Sequence, residues 1–421
     1  RTVLPLYGMS EVGIKAAALI TFFGLIACLL RWSSIHSAAV LSLSPAFIFS
    51  IGRGYEEVYL AAFCGLSFVL FTGILSSKNR ILQHIGGGWA FMLMPYAKGF
   101  TDATGVLVGG LLLAVTVLLW REVHLRGGEK TRWMSKPHIV GIAVCSFVSL
   151  SMVLLGILGY NSTLAILADS PVRYTTAFAF SLFDVVILFT LFGMVAWPFV
   201  QPMFASLASI EDSNIALMTG YIVGMMTAIV FYVAALWTYE ASIWDADWPG
   251  IIWTMGNNGR YITMLFIPLV FLLKHSSKHV EVPTYDSPGS KVAVMGMTLL
   301  LLLPLSLLAS VHGQTMWTDE AADSMSLSDE EHFLFVSEDT LGMHWLYTFY
   351  APLDAEEKQI TGHWRSIDSA WVLDLNTSLS QVNTLVTSPD VTLTPNGWIV
   401  QSSGEVDLLN GGGEWRVLTR S

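Results

Sequence analysis

Between Pro45 and Lys98 the chain places both signs of charge at the ends of otherwise apolar segments. The pattern predicts an apolar helix ending in Ile51-Gly52-Arg53-Gly54-Tyr55-Glu56-Glu57 and a second running from Val58 to Leu75. After the basic turn Ser76-Ser77-Lys78-Asn79-Arg80, a third ends at Tyr96-Ala97-Lys98. Alternating helix direction puts Arg53, Glu56, Glu57 and Lys98 on one membrane face and the basic turn on the other. Ionisable groups of both signs gathered at one rim suit the handling of a charged ligand. Glu56 and Glu57 admit two readings. Acids at a helix start complement the helix dipole, and adjacent carboxylates beside Arg53 also offer oxygens to a hard divalent cation, Mg or Mn.

Further candidates lie downstream. Trp244-Asp245-Ala246-Asp247-Trp248 reads first as solvated acids beside an interfacial tryptophan belt; its alternative is contact of Asp245 and Asp247 with an acceptor or a metal. Asn257-Asn258-Gly259 reads as a turn, after which Arg260 stands at the outer rim, as an anchor or as a phosphate clamp. Arg53, Lys98 and Arg260, with Lys15 and Arg173, are cations on the side that otherwise lacks them. Each alone suits a snorkelling side chain; together they suit anion binding. Asp184 falls about ten residues into a span, near mid-depth. His275 and His279 have helical metal spacing but sit in a Lys-rich loop, where a solvated reading is preferred.

These residues must be positioned by membrane helices. Of the 421 residues, 53% are hydrophobic and 13% charged, against about 25% charged in soluble domains. Spanning needs roughly 17–25 apolar residues, and ten stretches qualify or come close: 14–30, 36–51, 57–75, 81–97, 103–120, 138–159, 175–199, 215–238, 260–273 and 292–311. Gly86-Gly87-Gly88 in the fourth allows close helix packing. Lys and Arg concentrate in alternate loops, around residues 31, 78–80, 121–136 and 274–291, which are therefore expected to be cytoplasmic. The other loops and everything after 312 are expected outside, where the sequons at Asn161 and Asn376 would be accessible. Cys28, Cys64 and Cys145 all lie in apolar stretches, so no disulfide framework is expected.

The tail differs. After His312 there are 17 acidic and 4 basic residues, a balance that argues against nucleic acid or anionic lipid as its partner. The expected division is a membrane domain over 1–312, an acidic linker over 313–342 and a small extracytoplasmic β-rich domain over 343–421. Short runs at Trp345–Tyr347, Trp371–Leu373, Val391–Leu393, Trp398–Val400 and Trp415–Leu418 read as strands.

Leu6-Tyr7-Gly8-Met9-Ser10-Glu11, Leu43-Ser44-Pro45, Arg53-Gly54-Tyr55-Glu56-Glu57, Lys98 and Gly259-Arg260-Tyr261 with Pro268 resemble the GT-C membrane glycosyltransferases, in particular the protein-mannosyltransferase and aminoarabinose-transferase branch. The resemblance implies a polytopic helical fold and transfer of a sugar from a polyprenyl-phosphate donor to a lipid or protein acceptor on the outer face. It implies donor-phosphate contacts at Lys98, Arg260 and Arg53, and acceptor or metal contacts at Glu56, Glu57, Asp245 and Asp247. It also implies a catalytic acid in the first outer loop, which would lie upstream of Arg1. Related oligosaccharyltransferases hold a divalent metal with spaced acids where this chain has Glu56-Glu57. From the residues alone, a transporter or a non-catalytic assembly subunit remains the alternative. A transporter would want polar or broken helices in paired halves, and only Asp184 offers this.

Overall fold

A computed structural model of the chain describes residues 11–53, 55–74, 79–98, 101–126, 163–185, 213–243, 248–249, 252, 256–276, 278, 288–311, 317–325, 327–337, 349, 353, 359–406 and 413–421. The chain divides into two compact units, Arg1–Thr238 with Ile252–Ser310, and Tyr239–Ile251 with Val311–Ser421.

The first unit is helical. It comprises α1 (Glu11–Trp32), α2 (Ile35–Ser42), α3 (Pro45–Arg53), α4 (Glu57–Thr72), α5 (Arg80–Ala97) and α6 (Ala103–Arg126). Further helices cover Thr163–Asp169, 171–185, Ser213–Ile243, Phe266–Ser276 and Pro288–Val311, with a 3-10 helix over Gly256–Leu265. Local chemistry sets the ends. The Ser34 side chain accepts from the Ser37 N–H to start α2, and Asn79 accepts from Leu82 N–H to start α5. Gly73, at φ 70°, terminates α4 in the left-handed conformation that glycine tolerates best.

Among the described residues, three helical stretches are long and apolar enough to cross a membrane: Lys15–Trp32, Asn214–Tyr239 and Val292–Ser310. A fourth exists if α2 and α3, bent by 48°, count together. The expected span 36–51 is thus two helices. Pro45 cannot extend a preceding helix and suits the first position of a new one. The expected span 138–159 lies outside the described residues, as does 175–199 beyond residue 185. Phe22, Leu29, Leu41, Phe47, Val58 and Ile267 form a core shared by α1 to α4 and the helix Phe266–Ser276. Helix Pro288–Val311 joins through His36 Nε2···Thr298 Oγ1 at 3.0 Å and a hydrogen bond from Ser306 Oγ to the Leu43 carbonyl at the α2–α3 break. In α5, a Cβ on Gly88 would collide with the carbonyl oxygen of Gly110 in α6. The glycine-rich stretch is therefore a close helix–helix approach.

The second unit contains a five-stranded mixed sheet of order β2-β1-β3-β5-β4. The strands are β1 (His332–Ser337), β2 (Thr361–Ser366), β3 (Thr384–Thr387), β4 (Trp398–Glu405) and β5 (Glu414–Arg420). β1 pairs in parallel with β2 and β3; β5 pairs antiparallel with β3 and β4. Side chains alternate across the sheet. Phe333, Phe335, Val386 and Val417 pack on one face with Trp317 and Phe349, while Leu334, Val336, Leu385 and Leu418 pack on the other with Trp371 and Leu379.

Three expectations change here. The stretch 313–342 contains the helix Trp317–Asp323 and strand β1, so a linker over its whole length does not describe it, and the sheet begins before residue 343. Glu320 and Asp323 are exposed on that helix and Asp329 and Glu330 on the turn after it, whereas Phe333–Val336 is an unbroken apolar run covered on both faces. Trp371–Asp374 is a helical turn rather than a strand, and Val391–Leu393 is irregular. In both, the tryptophan or valine anchors the segment in the core beneath the sheet, and the backbone bonds locally rather than in the ladder.

Candidate functional site

The rim residues singled out from sequence converge. Glu56 is the N-cap of α4 and Glu57 its first residue; Lys98 caps the C-terminus of α5; Arg260 and Tyr261 lie in the 3-10 helix Gly256–Leu265. Lys98 Nζ donates to Glu56 Oε2 at 3.2 Å and to Tyr261 Oη at 3.0 Å. Arg260 Nε donates to Glu57 Oε1 at 2.7 Å. Two adjacent carboxylates thus hold two cations that arrive from distant parts of the chain.

Aromatic rings frame the pairs. The Arg260 guanidinium stands 4.9 Å from the Tyr55 ring centroid and 5.0 Å from that of Tyr261, while Lys98 Nζ lies 4.8 Å from the Tyr261 centroid. Such contacts gain strength where water is excluded. Tyr232 meets Tyr261 edge-on at 5.5 Å, and Phe49 meets Tyr55 likewise at 6.0 Å. A ten-residue 3-10 helix is unusual, since runs beyond three or four residues are uncommon and often mark functional segments.

The two pairs differ in depth. The Glu57 side chain is 0% exposed and Arg260 12%, whereas Glu56 is 40% exposed. Glu57 Oε2 is buried with no hydrogen-bond partner among the described residues. Burial, the largest single influence on Lys98, works to lower its pKa. Tyr261, Glu56 and Glu57 together outweigh it, and the ammonium is held above the ordinary lysine value. Lys98 is thus a permanent cation.

Asp184, expected near mid-depth, lies beside this site. Its carboxylate accepts a hydrogen bond from the backbone N–H of Gly259, the residue before Arg260, and its Oδ2 is buried without a partner among the described residues. The roles of Tyr55 and Tyr261 were missed in the sequence, although each stands next to a charged rim residue. The Arg53 side chain, Asp245 and Asp247 lie outside the described residues. Nothing is therefore added to their expected donor, acceptor or metal roles. Among the described residues, no group of three or more His, Cys, Asp and Glu side chains could hold a metal. Glu56 and Glu57 each give one oxygen to a cation.

Beside the quartet runs an apolar groove. Leu60, Phe91, Met94, Met225, Ile229 and Met264 line it, and Lys98 and Tyr261 form part of its wall. The recess is small, about 70 Å³, and apolar, and it lies next to the Lys98 and Arg260 pairs.

No protein-family model, no curated protein and no solved structure matches this chain.

Proposed function

We propose that the helical unit is a glycosyltransferase that takes its sugar from a polyprenyl-phosphate donor and delivers it to a lipid or protein acceptor at the outer membrane face. The observation that carries the reading is Lys98 and Tyr261 in the wall of an apolar groove, beside Arg260. The apolar lining suits the first part of an isoprenoid chain, and the cations beside it suit the phosphate at its head. The resemblance of the rim motifs to the GT-C enzymes supplies the reaction. The sidedness is that of the Lys and Arg asymmetry, with the rim outside.

In this reading the two carboxylates do different work. Glu57 is fully buried and fixes the orientation of Arg260 beside Lys98. Glu56 is accessible, so donor phosphate takes its place on Lys98. During transfer the bond from the anomeric carbon to the phosphate oxygen breaks and the acceptor oxygen bonds to that carbon. The electron pair leaves on the phosphate, whose growing negative charge Lys98 and Arg260 stabilise. The acceptor proton passes to a carboxylate acting as general base.

The test is binding of a polyprenyl monophosphate to the purified chain in nanodiscs. Wild type should bind. Lys98→Ala and Arg260→Ala should each weaken binding by roughly ten- to a hundredfold, because hydrogen bonds to a charged group are worth about 1.5–3 kcal/mol. Arg260→Lys should recover only part, since an ammonium cannot grip two phosphate oxygens at once. Absence of binding, or equal binding by all variants, would remove the assignment.

A further inference from the structure

Two irregularities in the sheet unit point to one place. Glu330, at φ 63°, occupies the left-handed region, which is uncommon outside glycine and worth a look where it occurs. It closes the turn Ser328–Glu331, in which the Ser328 N–H donates to Glu331 Oε2 at 2.8 Å and the Thr384 hydroxyl to Glu331 Oε1 at 3.2 Å. Both carboxylate oxygens are thereby aimed, and Thr384 is itself only 5% exposed. The second irregularity is a bulge in β4. Val400 pairs with Leu418 and Ser402 with Val417, leaving Gln401 as the extra residue. Bulges re-aim side chains and gather at functional sites.

Glu331 and Gln401 line the same cavity of about 260 Å³ at one end of the sheet. The other polar walls are Asn383, Thr384, Thr419 and Arg420, and Met325 and Leu327 supply an apolar patch. Main-chain pairing holds the walls in place: Thr384 lies opposite Thr419 in the ladder, and Arg420 N–H donates to the Asn383 carbonyl at 3.1 Å. Arg420 is anchored through Nη2 to the Leu375 carbonyl at 2.9 Å, with its guanidinium 5.3 Å from the Trp398 ring centroid. Ser324 Oγ and Ser402 Oγ, 2.8 Å apart, tie the end of the helix Trp317–Asp323 to β4 just past the bulge.

The donor set is mixed. Two primary amides each offer donors and an acceptor, the Thr419 hydroxyl offers both, and Thr384, whose proton goes to Glu331, accepts, as does the carboxylate. The single full cation on the wall already has two partners. Such a lining matches neighbouring hydroxyl groups, each of which donates and accepts, and the apolar patch matches the C–H face of a ring. A free anion would meet Glu331 there. The volume lies just below the ordinary range for small-molecule sites, about 300–1,000 Å³, so the ligand is one small unit. We infer that this cavity binds a neutral polyhydroxylated ligand, a single sugar ring of a glycan, making the sheet unit a carbohydrate-recognition module. The inference does not rest on the transferase reading.

Saturation-transfer NMR and titration on the purified full chain provide the test, with methyl α-mannoside, methyl α-glucoside and N-acetylglucosamine as sugar probes and glycine and glutamate as zwitterionic ones. At least one sugar should bind. Asn383→Ala and Gln401→Ala, both on exposed positions, should each weaken that binding at least tenfold while leaving the unfolding transition unmoved. The amino acids should not compete. Binding of none of the sugars, sugar binding unchanged in both variants, or displacement by glycine or glutamate would each overturn the inference.

Discussion

Glu57 is the residue on which the candidate site depends most. It is fully buried, and its partner Arg260 is nearly so. A buried pair need not stabilise a fold relative to an apolar one, but removing one partner leaves the other charge uncompensated, at about 3–5 kcal/mol. Glu57→Ala should therefore destabilise the helical unit by that amount in reversible denaturant unfolding. Glu56→Ala should cost less than about 1 kcal/mol, because Glu56 is 40% exposed and solvent screens its pair with Lys98. Equal costs would contradict the division between a structural and an exchangeable carboxylate. Part of this was legible in the sequence: Lys98, Arg260, Glu56 and Glu57 stood out because charges at the ends of apolar segments have few other uses. Who pairs with whom was not legible, since the partners are 42 and 203 positions apart and only packing brings them together. Asp184 was legible as a functional candidate, while its contact with Gly259 depends on how helix 171–185 meets the 3-10 segment.

At the scale of elements, the glycine-rich part of α5 carries a further prediction. Its small residues read as a close-packing surface, and the structure supplies the partner, Gly110 in α6. Gly88→Leu should force α5 and α6 apart, lower the unfolding midpoint and shift Lys98, which caps the same helix. Gly24→Ala in α1, where an added Cβ meets nothing within 4 Å, is the matched control and should be neutral. Thermal unfolding of both variants checks this. Elements were misread where tertiary packing overrode local pattern. Trp371–Leu373 has strand-like composition but forms a helical turn, because Trp371 fills the core under the sheet. Asn257-Asn258-Gly259, which reads as a turn, lies inside the ten-residue 3-10 helix Gly256–Leu265, whose three-residue winding is not signalled by any periodicity.

For the whole molecule, the sequence separates a helical part from a sheet part, and the structure has that division, with the sheet starting earlier than its acidic surroundings suggested. The acidic composition of 313–342 comes in part from an exposed helix face and the turn after it, and it concealed the apolar strand that follows. Three or four apolar helices of spanning length are present among the described residues; ten spans remain the expectation of the hydropathy pattern. The Lys and Arg asymmetry makes a sidedness prediction. A cysteine at Gly128→Cys, in the long basic loop, should react only with a reagent on the cytoplasmic side, and one at Ser380→Cys, exposed in the sheet unit, only from outside. Labelling of both from the same side would contradict the topology.

The central claim is that a lipid phosphate takes the place of Glu56 on Lys98, and the effect of Glu56→Gln on polyprenyl-phosphate affinity tests it most directly. If the carboxylate competes with the phosphate, removing its charge should tighten binding several-fold, and the gain should vanish in the Lys98→Ala background, where there is nothing to compete for. Unchanged or weaker binding by Glu56→Gln, or a gain that survives Lys98→Ala, would contradict the account.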